Sequence, residues 1–154
     1  MNLRRVVKAP RLRLNRIRFM AFDDTFRLSS HAVILSSDNE VLMLKASYGA
    51  FSWGLPGGAL EPGETIHDAL HRECFEEMGV RLSEARLTGV YFHANYNSQA
   101  FIFRCKIADD TPQIFLSSEH SASSFFTLED LSDVQRTRVA DCLAFSGDVV
   151  SRKF

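Results

Sequence analysis

Glu73, Glu76 and Glu77 are the residues of this sequence best placed to do chemistry. Their i, i+3, i+4 spacing puts all three carboxylates on one face of a helix. Like charges at that spacing cost roughly a few tenths of a kcal/mol per pair, so helix stability alone does not call for them. A hard divalent cation does: Mg²⁺ (or Mn²⁺) takes oxygen ligands and keeps waters that a substrate phosphate can replace. Immediately upstream, Gly57, Gly58 and Gly63 permit a tight loop, and Pro62 stiffens it.

The element that must carry the glutamates is a helix from about Thr65 to Met78, with Gly79 as its stop. Ile66, Leu70, Cys74 and Met78 recur every four residues and give it an apolar stripe to lay on a sheet. His67 and His71 are also four apart. The intervening residues are not those of a His-Glu-x-x-His zinc helix, and the pair points away from the glutamates, so both are read as solvent-facing.

Gly58, Glu64, Arg72-Glu73, Glu76-Glu77 and Gly79-Val80 fall at the fixed positions of a longer pattern. It resembles the Nudix box, G-x5-E-x7-R-E-U-x-E-E-x-G-U, with Cys74 in the first bulky slot as the one departure. The approach Trp53-Gly54-Leu55-Pro56 and the later Phe125-Phe126-Thr127-Leu128-Glu129-Asp130-Leu131 also resemble that family. The resemblance implies an α/β fold, the Nudix α/β/α sandwich with a mixed sheet between helices. It also implies hydrolysis of the pyrophosphate bond of a nucleoside diphosphate linked to X. By position in the box, Glu73, Glu76 and Glu77 are metal ligands, joined by the Gly58 carbonyl. Arg72 orients Glu64 or Glu73, and Glu64 is either linked to the metal or structural. The general base is Glu77 or, on a later loop, Glu119.

Other residues are candidates for holding substrate. Tyr48, Phe51, Trp53, Tyr91 and Tyr96 offer faces on which a nucleobase could stack. Lys45 and Arg104 could reach phosphate. X stays open. The proline that ADP-ribose hydrolases of the family often carry beyond the box is replaced by Ala94 and Asn95, and Tyr96 falls where dinucleoside polyphosphate hydrolases often carry a tyrosine.

Strands are expected over His31 to Ser36 and Val41 to Lys45, joined as a hairpin by Ser37-Asp38-Asn39-Glu40. Others are expected over Arg86 to His93 and Ala100 to Ile107, with a short piece from Ile114 to Leu116. Asp133 to Phe145 reads as a closing helix, and residues 147–154 as a fraying end. The chain thus divides into a basic arm or extra strand (1–30), a Nudix domain (31–145) and a tail (146–154).

The 154 residues, 45% hydrophobic and 24% charged, suit one globular domain. No run is long and apolar enough to span a bilayer, so no membrane partner is expected. Three scattered cysteines suggest reduced thiols and a cytoplasmic location. The net charge of −1 hides an asymmetry. Residues 1–18 hold seven basic side chains and no acid; without them, eleven basic residues face 19 acids. The arm could bind nucleic acid, act as a transit-like segment, or pair with the acidic body or a second subunit in a homodimer. The rival to an enzyme acting on a nucleotide is a non-catalytic module that senses nucleotides or binds nucleic acid.

Overall fold

The computed structural model describes residues 25–109 and 112–154. The basic stretch within residues 1–24 lies outside them. β1 (Arg27–Ile34) begins four residues earlier than the sequence suggests, so residues 27–30 belong to the sheet rather than to an arm. After β1 come β2 (Val41–Ala46), β3 (Trp53–Gly54), β4 (Gly57–Ala59), α1 (Ile66–Met78), β5 (Leu82–His93), β6 (Ser98–Ile107), β7 (His120–Phe126), α2 (Asp133–Leu143) and β8 (Val150–Lys153). Among the described residues, no helix is long and apolar enough to cross a membrane.

Two sheets form. One has the order β4-β1-β6-β5-β8, with β1 parallel to β6, β5 parallel to β8 and the remaining pairs antiparallel. The other is the antiparallel set β3-β2-β7. The expected mixed sheet is therefore present, with a second, smaller sheet beside it. The expected β1–β2 hairpin is corrected. The turn exists, closed by the Ser36 N–H donating to the Glu40 carbonyl and by a Leu35–Val41 bridge. Beyond it the strands separate, and each pairs with different neighbours.

Alternation along β2 shows why. Leu42 and Leu44 join a core with Leu70, Cys74 and Met78 of α1, whereas Val41 and Met43 join a second core with Val139 and Cys142 of α2. Both faces of β2 are buried, as a strand between two helical layers requires. Cys74 is fully buried in the first core, where its thiol serves as a small apolar group.

Residues 147–154 do not fray. β8 pairs with β5, Arg152 forks onto Asp141 at 2.6 and 2.7 Å, and the Phe154 ring stacks on Tyr91 with 5.7 Å between centroids. Those contacts are all tertiary, so no local pattern announces the strand. Tyr91 is itself fully buried, and its hydroxyl donates to Asp141 at 2.9 Å. That removes it from the side chains on which a base could stack.

Candidate active site

α1 begins and ends by local rules. Thr65 caps it: its hydroxyl accepts from the Asp68 N–H, while the Asp68 carboxylate accepts from the Thr65 N–H. Gly79 closes it in the left-handed conformation at φ 70°. The chain then returns past the helix end. The Phe115 and Ser117 N–H groups donate to the carbonyls of Met78 and Glu77, satisfying the last turn. This carries Ser117-Ser118-Glu119 to the acidic face of α1. The return loop is pinned on its far side by Ser47, whose N–H donates to the Glu119 carbonyl at 2.8 Å and whose hydroxyl donates to that of Ser118 at 2.7 Å.

The result is a cleft of about 350 Å³ lined by Glu61, Arg72, Glu73, Glu76, Glu77, Ser117, Ser118 and Glu119. The structure thus brings Glu73, Glu76, Glu77, Glu119 and Arg72 together. Gly58 borders the group so closely that an added Cβ would stand 2.5 Å from Glu73 Oε1. A Gly58→Ala variant is expected to push the Glu73 carboxylate aside and lower kcat/KM by about ten- to a hundredfold, the usual penalty for a misplaced catalytic group. The melting temperature should move little, because the clash is with the free end of a flexible side chain. Both follow from one rate assay and one thermal melt.

Arg72 organises the acids. Its Nε and Nη2 fork onto Glu64 at 2.7 and 3.0 Å, Nη2 also donates to the Ala59 carbonyl at 3.0 Å, and Nη1 reaches Glu73 and Glu76 at 3.0 and 3.1 Å. Glu64 in turn accepts from the Glu61 N–H at 2.8 Å. The Arg72 fork holds the Glu64 carboxyl below its ordinary value, and Glu64 is the first cause of the rise on Arg72. Lysine is a point charge and cannot make both arms of this fork. Arg72→Lys is therefore expected to lower stability slightly and kcat/KM about tenfold.

Glu77 is different. It is buried, its Oε2 accepts from the Gly57 N–H at 2.7 Å, and no arginine reaches it among the described residues. Burial pushes its carboxyl up to about 8; the Gly57 hydrogen bond opposes this, while Glu73, Glu119 and Glu76 add to it. Glu73 is also raised, first by burial. His120 Nε2 stands 3.6 Å from Glu77 Oε1, a distance that would suit an ion pair. Burial, however, lowers His120 and raises Glu77, and both shifts oppose an ion pair there.

These are all hard oxygen donors. Burial and three neighbouring acids disfavour the charged form of Glu77, a conflict that a divalent cation would relieve. Among the described residues no three acidic or imidazole side chains already form a ligand set. Arg72 draws Glu64, Glu73 and Glu76 one way while Glu77 turns to Gly57. The donor chemistry fits Mg²⁺ or Mn²⁺; holding the ion requires Glu73 and Glu76 to leave Nη1.

A second hollow, about 290 Å³, is lined by Met43, Ser52, Trp53, Phe126, Asp130, Leu131, Ser132 and Gln135. Trp53 packs on Phe126 at 4.8 Å between centroids, and Lys45 Nζ lies 6.0 Å from the Trp53 ring centre. Trp53 and Lys45 are thus placed together. Tyr48 and Phe51 are exposed on the loop between β2 and β3, and Tyr96 is exposed on a 3-10 turn (Ala94–Tyr96) and lines neither hollow. Arg104 is distant in another sense: it sits in a groove with Glu84, Arg86 and Lys106 on β5 and β6. His67 and His71 are exposed, as expected, although the His67 ring also meets Phe103 edge-on.

A mixed sheet between helices and a cleft lined by five glutamates, three of them on the first helix, define a small α/β domain with one strongly acidic site. The family model of the NUDIX domain matches residues 25–143. A MutT-like protein of Streptomyces ambofaciens is 33% identical over 124 residues, covering 78% of this chain and 79% of that protein. An RNA pyrophosphohydrolase of Yersinia enterocolitica is 40% identical over 68 residues, covering 44% of this chain and only 38% of that protein. The solved structure of a MutT NUDIX hydrolase from Burkholderia pseudomallei superposes with a TM-score of 0.65 at 28% identity, covering 77% of this chain and 98% of that one. The chain belongs to the Nudix hydrolase family.

Proposed function

We propose that this Nudix hydrolase cleaves the pyrophosphate linkage of a nucleoside diphosphate joined to X, within a catalytic unit of residues 31–145 that β8 completes at its edge. The observation that carries the reading is Glu77. It is buried without a cationic partner and faces Glu73, Glu76 and Glu119 across one cleft. A structural helix has no use for that arrangement.

Glu73, Glu76 and Glu77 would hold Mg²⁺ or Mn²⁺, with the Gly58 carbonyl beside them. Bound there, the ion supplies charge neutralisation for the diphosphate and a more acidic water. The protein's own groups do the rest. The Gly57 N–H fixes the Glu77 rotamer. Arg72, anchored on Glu64, would have to release Glu73 and Glu76 from Nη1 for them to hold the ion. Glu119 accepts no side-chain hydrogen bond from the described residues and stands on the opposite wall, so it is the base that takes the proton of the attacking water. Glu77, whose Oε2 is fixed by the Gly57 N–H, is read instead as a group that holds the ion.

Trp53 is four residues before Gly57, a reach of at most about 13 Å in extended chain. A group stacked on Trp53 and a diphosphate in the acidic cleft can therefore belong to one nucleotide. Tyr48 and Phe51 are on the loop that could close over it, and Lys45 is beside the ring. Tyr96 receives no support from its position for a role in binding, which weakens the dinucleoside polyphosphate option. The RNA pyrophosphohydrolase relative adds a 5′-phosphorylated RNA end to the substrates worth testing.

A panel of nucleoside diphosphate sugars, nucleoside triphosphates, dinucleoside polyphosphates and triphosphorylated RNA, assayed for product release with Mg²⁺ and with Mn²⁺, tests the reading. Metal-dependent release from at least one class is expected. Nucleotide binding without release from any class would instead favour a sensing module.

A further inference from the structure

Even-numbered residues of β1 face α1. The Ser30 hydroxyl donates to the Ile66 carbonyl at 2.7 Å, and Ala32 and Ile34 share a core with Leu70, Cys74 and Met78. Strand alternation puts Leu28 on that face too, and Phe26 continues the row. Ser30 already meets the first residue of α1, so both lie past the end of the helix. Neither is covered: Phe26 is 47% exposed and Leu28 38%. The chain after β4 runs beside them, with the Leu60 N–H donating to the Leu28 carbonyl at 3.0 Å. Phe26, Leu28, Leu60 and Pro62 are the apolar walls of a hollow of about 730 Å³. Half-exposed apolar side chains gathered round a concave space are the usual form of a small-molecule site.

The hollow adjoins the acidic cleft, and Glu61 lines both. Arg72 forms the partition. On the cleft side its Nη1 holds Glu73 and Glu76. On the other side it binds the Ala59 carbonyl and forks onto Glu64, and both of those residues line the hollow. The charges of the hollow nearly cancel: Glu64 is answered by Arg72, which leaves Arg27 against Glu61. An anionic group finds no excess of positive charge there, and the four apolar walls offer the hydroxyls of a sugar no partner. An uncharged ring finds the half-exposed face of Phe26. Trp53, Gly57-Gly58 and Leu60 also follow one another along the chain. Trp53 and Leu60 are seven residues apart, at most about 23 Å in extended chain. A nucleotide whose diphosphate occupies the cleft thus has the Trp53 hollow at one end and this hollow at the other.

We propose that this second hollow is a binding site for X, and that the X it takes carries an uncharged heteroaromatic ring, such as a second nucleobase, stacked on Phe26 against Leu28, Leu60 and Pro62. The site stands on its own geometry, and its part in substrate choice rests on the hydrolase reading above. The second ring then belongs to Phe26 rather than to Tyr96.

The test uses the full chain in two arms. In the first, adenosine, which carries no phosphate, is titrated into the metal-free protein in EDTA. The methyl signals of Leu28 and Leu60 are followed by NMR, with the Trp53 indole signal beside them. Saturable ring-current shifts are expected at both leucines, with affinity at least about tenfold weaker in Phe26→Ala and kept in Phe26→Trp, which retains a stacking face. Pro62→Asp, on the exposed loop, should weaken binding as well, and it reads out the site should Phe26→Ala fail to fold. Shifts confined to Trp53, or leucine shifts that persist unchanged in Phe26→Ala and Pro62→Asp, overturn the site. In the second arm, kcat/KM is compared for a dinucleoside diphosphate, whose X ends in a second base, and a nucleoside diphosphate sugar with the same first base. A preference of at least about tenfold for the dinucleoside compound is expected, carried by KM, and it should collapse toward one in Phe26→Ala. A sugar compound cleaved equally well or better, or a Phe26→Ala loss that falls equally on both substrates, overturns the selection of a ring. So does cleavage of neither compound by a protein that cleaves another class of nucleotide. If no nucleotide is cleaved at all, the hydrolase reading fails while the adenosine titration still decides the site.

Discussion

Glu77→Gln should cost at least a thousandfold in kcat while making the metal-free protein more stable at pH 8. The first effect follows from removing an anionic oxygen donor at the point where diphosphate charge must be neutralised; losses of this kind run to about 10²–10³ for one electrostatic group and more when a metal is also displaced. The second follows from the buried carboxyl itself. Its value in the folded protein is about 8, raised chiefly by burial, against an ordinary carboxylate value when unfolded. The folded state therefore binds this proton more tightly than the unfolded state. The stability that goes with it is complete at pH below the unfolded value and is lost as pH rises through about 8. Glutamine keeps an acceptor for the Gly57 N–H and never ionises, so it escapes that loss. The gain is on the order of 2 kcal/mol, or roughly 4–8 °C for a domain of this size. Thermal melts in EDTA from pH 5 to 9 should thus show a falling parent curve and a flatter variant curve. Added Mg²⁺ should lift the parent at pH 8 and leave the variant nearly unmoved. A variant that keeps the parent's rate, or that melts lower at pH 8, contradicts the assignment of Glu77.

The opposite signs on activity and stability mark what the sequence does and does not disclose. Glu73, Glu76, Glu77, Arg72 and Gly58 are legible because a helix converts spacing into direction, and local rules fix where α1 starts and stops. The Arg72–Glu64 fork joins residues only eight apart and is nearly as local. Elsewhere the deciding contacts are distant. The turn after β1 is written in Ser37-Asp38-Asn39-Glu40, but nothing there says that the two strands will enter different sheets. That choice is made by β2, whose two faces must satisfy two helices. β8 carries little apolar pattern of its own and exists because Phe154 finds Tyr91 and Arg152 finds Asp141. Tyr91 itself could not be assigned a face from sequence, since β5 shifts register between Leu87 and Gly89. Arg138 was invisible for a related reason: an arginine in a helix of low amphipathicity reads as a solvated side chain, and only the packing of α2 on β5 shows that it is buried.

Glu119→Gln is expected to separate proton transfer from metal holding. If Glu119 takes the proton of the attacking water, the variant should lose about 10²–10⁴ in kcat, the usual worth of a general base, while KM and the Mg²⁺ dependence stay near the parent's. The backbone makes this a clean substitution. The loop is held by the Ser47 N–H on the Glu119 carbonyl and by the Ser117 N–H on the Glu77 carbonyl, neither of which involves the Glu119 side chain. The melting temperature should accordingly change little, or rise slightly as one negative charge leaves the cleft. Glu119→Ala sharpens the test, because the vacated space on an exposed loop can admit a small carboxylate. Added formate should restore part of its rate and none of the rate of Glu77→Ala, whose lost carboxylate was buried and anchored by the Gly57 N–H. A Glu119→Gln enzyme with full kcat would transfer the base to Glu77 and leave Glu119 as a spectator on the wall. A raised Mg²⁺ requirement at unchanged limiting kcat would make it a metal ligand instead. The three outcomes are exclusive because an acid that only accepts a proton acts on the rate at saturating metal, whereas an acid that grips the ion acts on how much metal saturation takes.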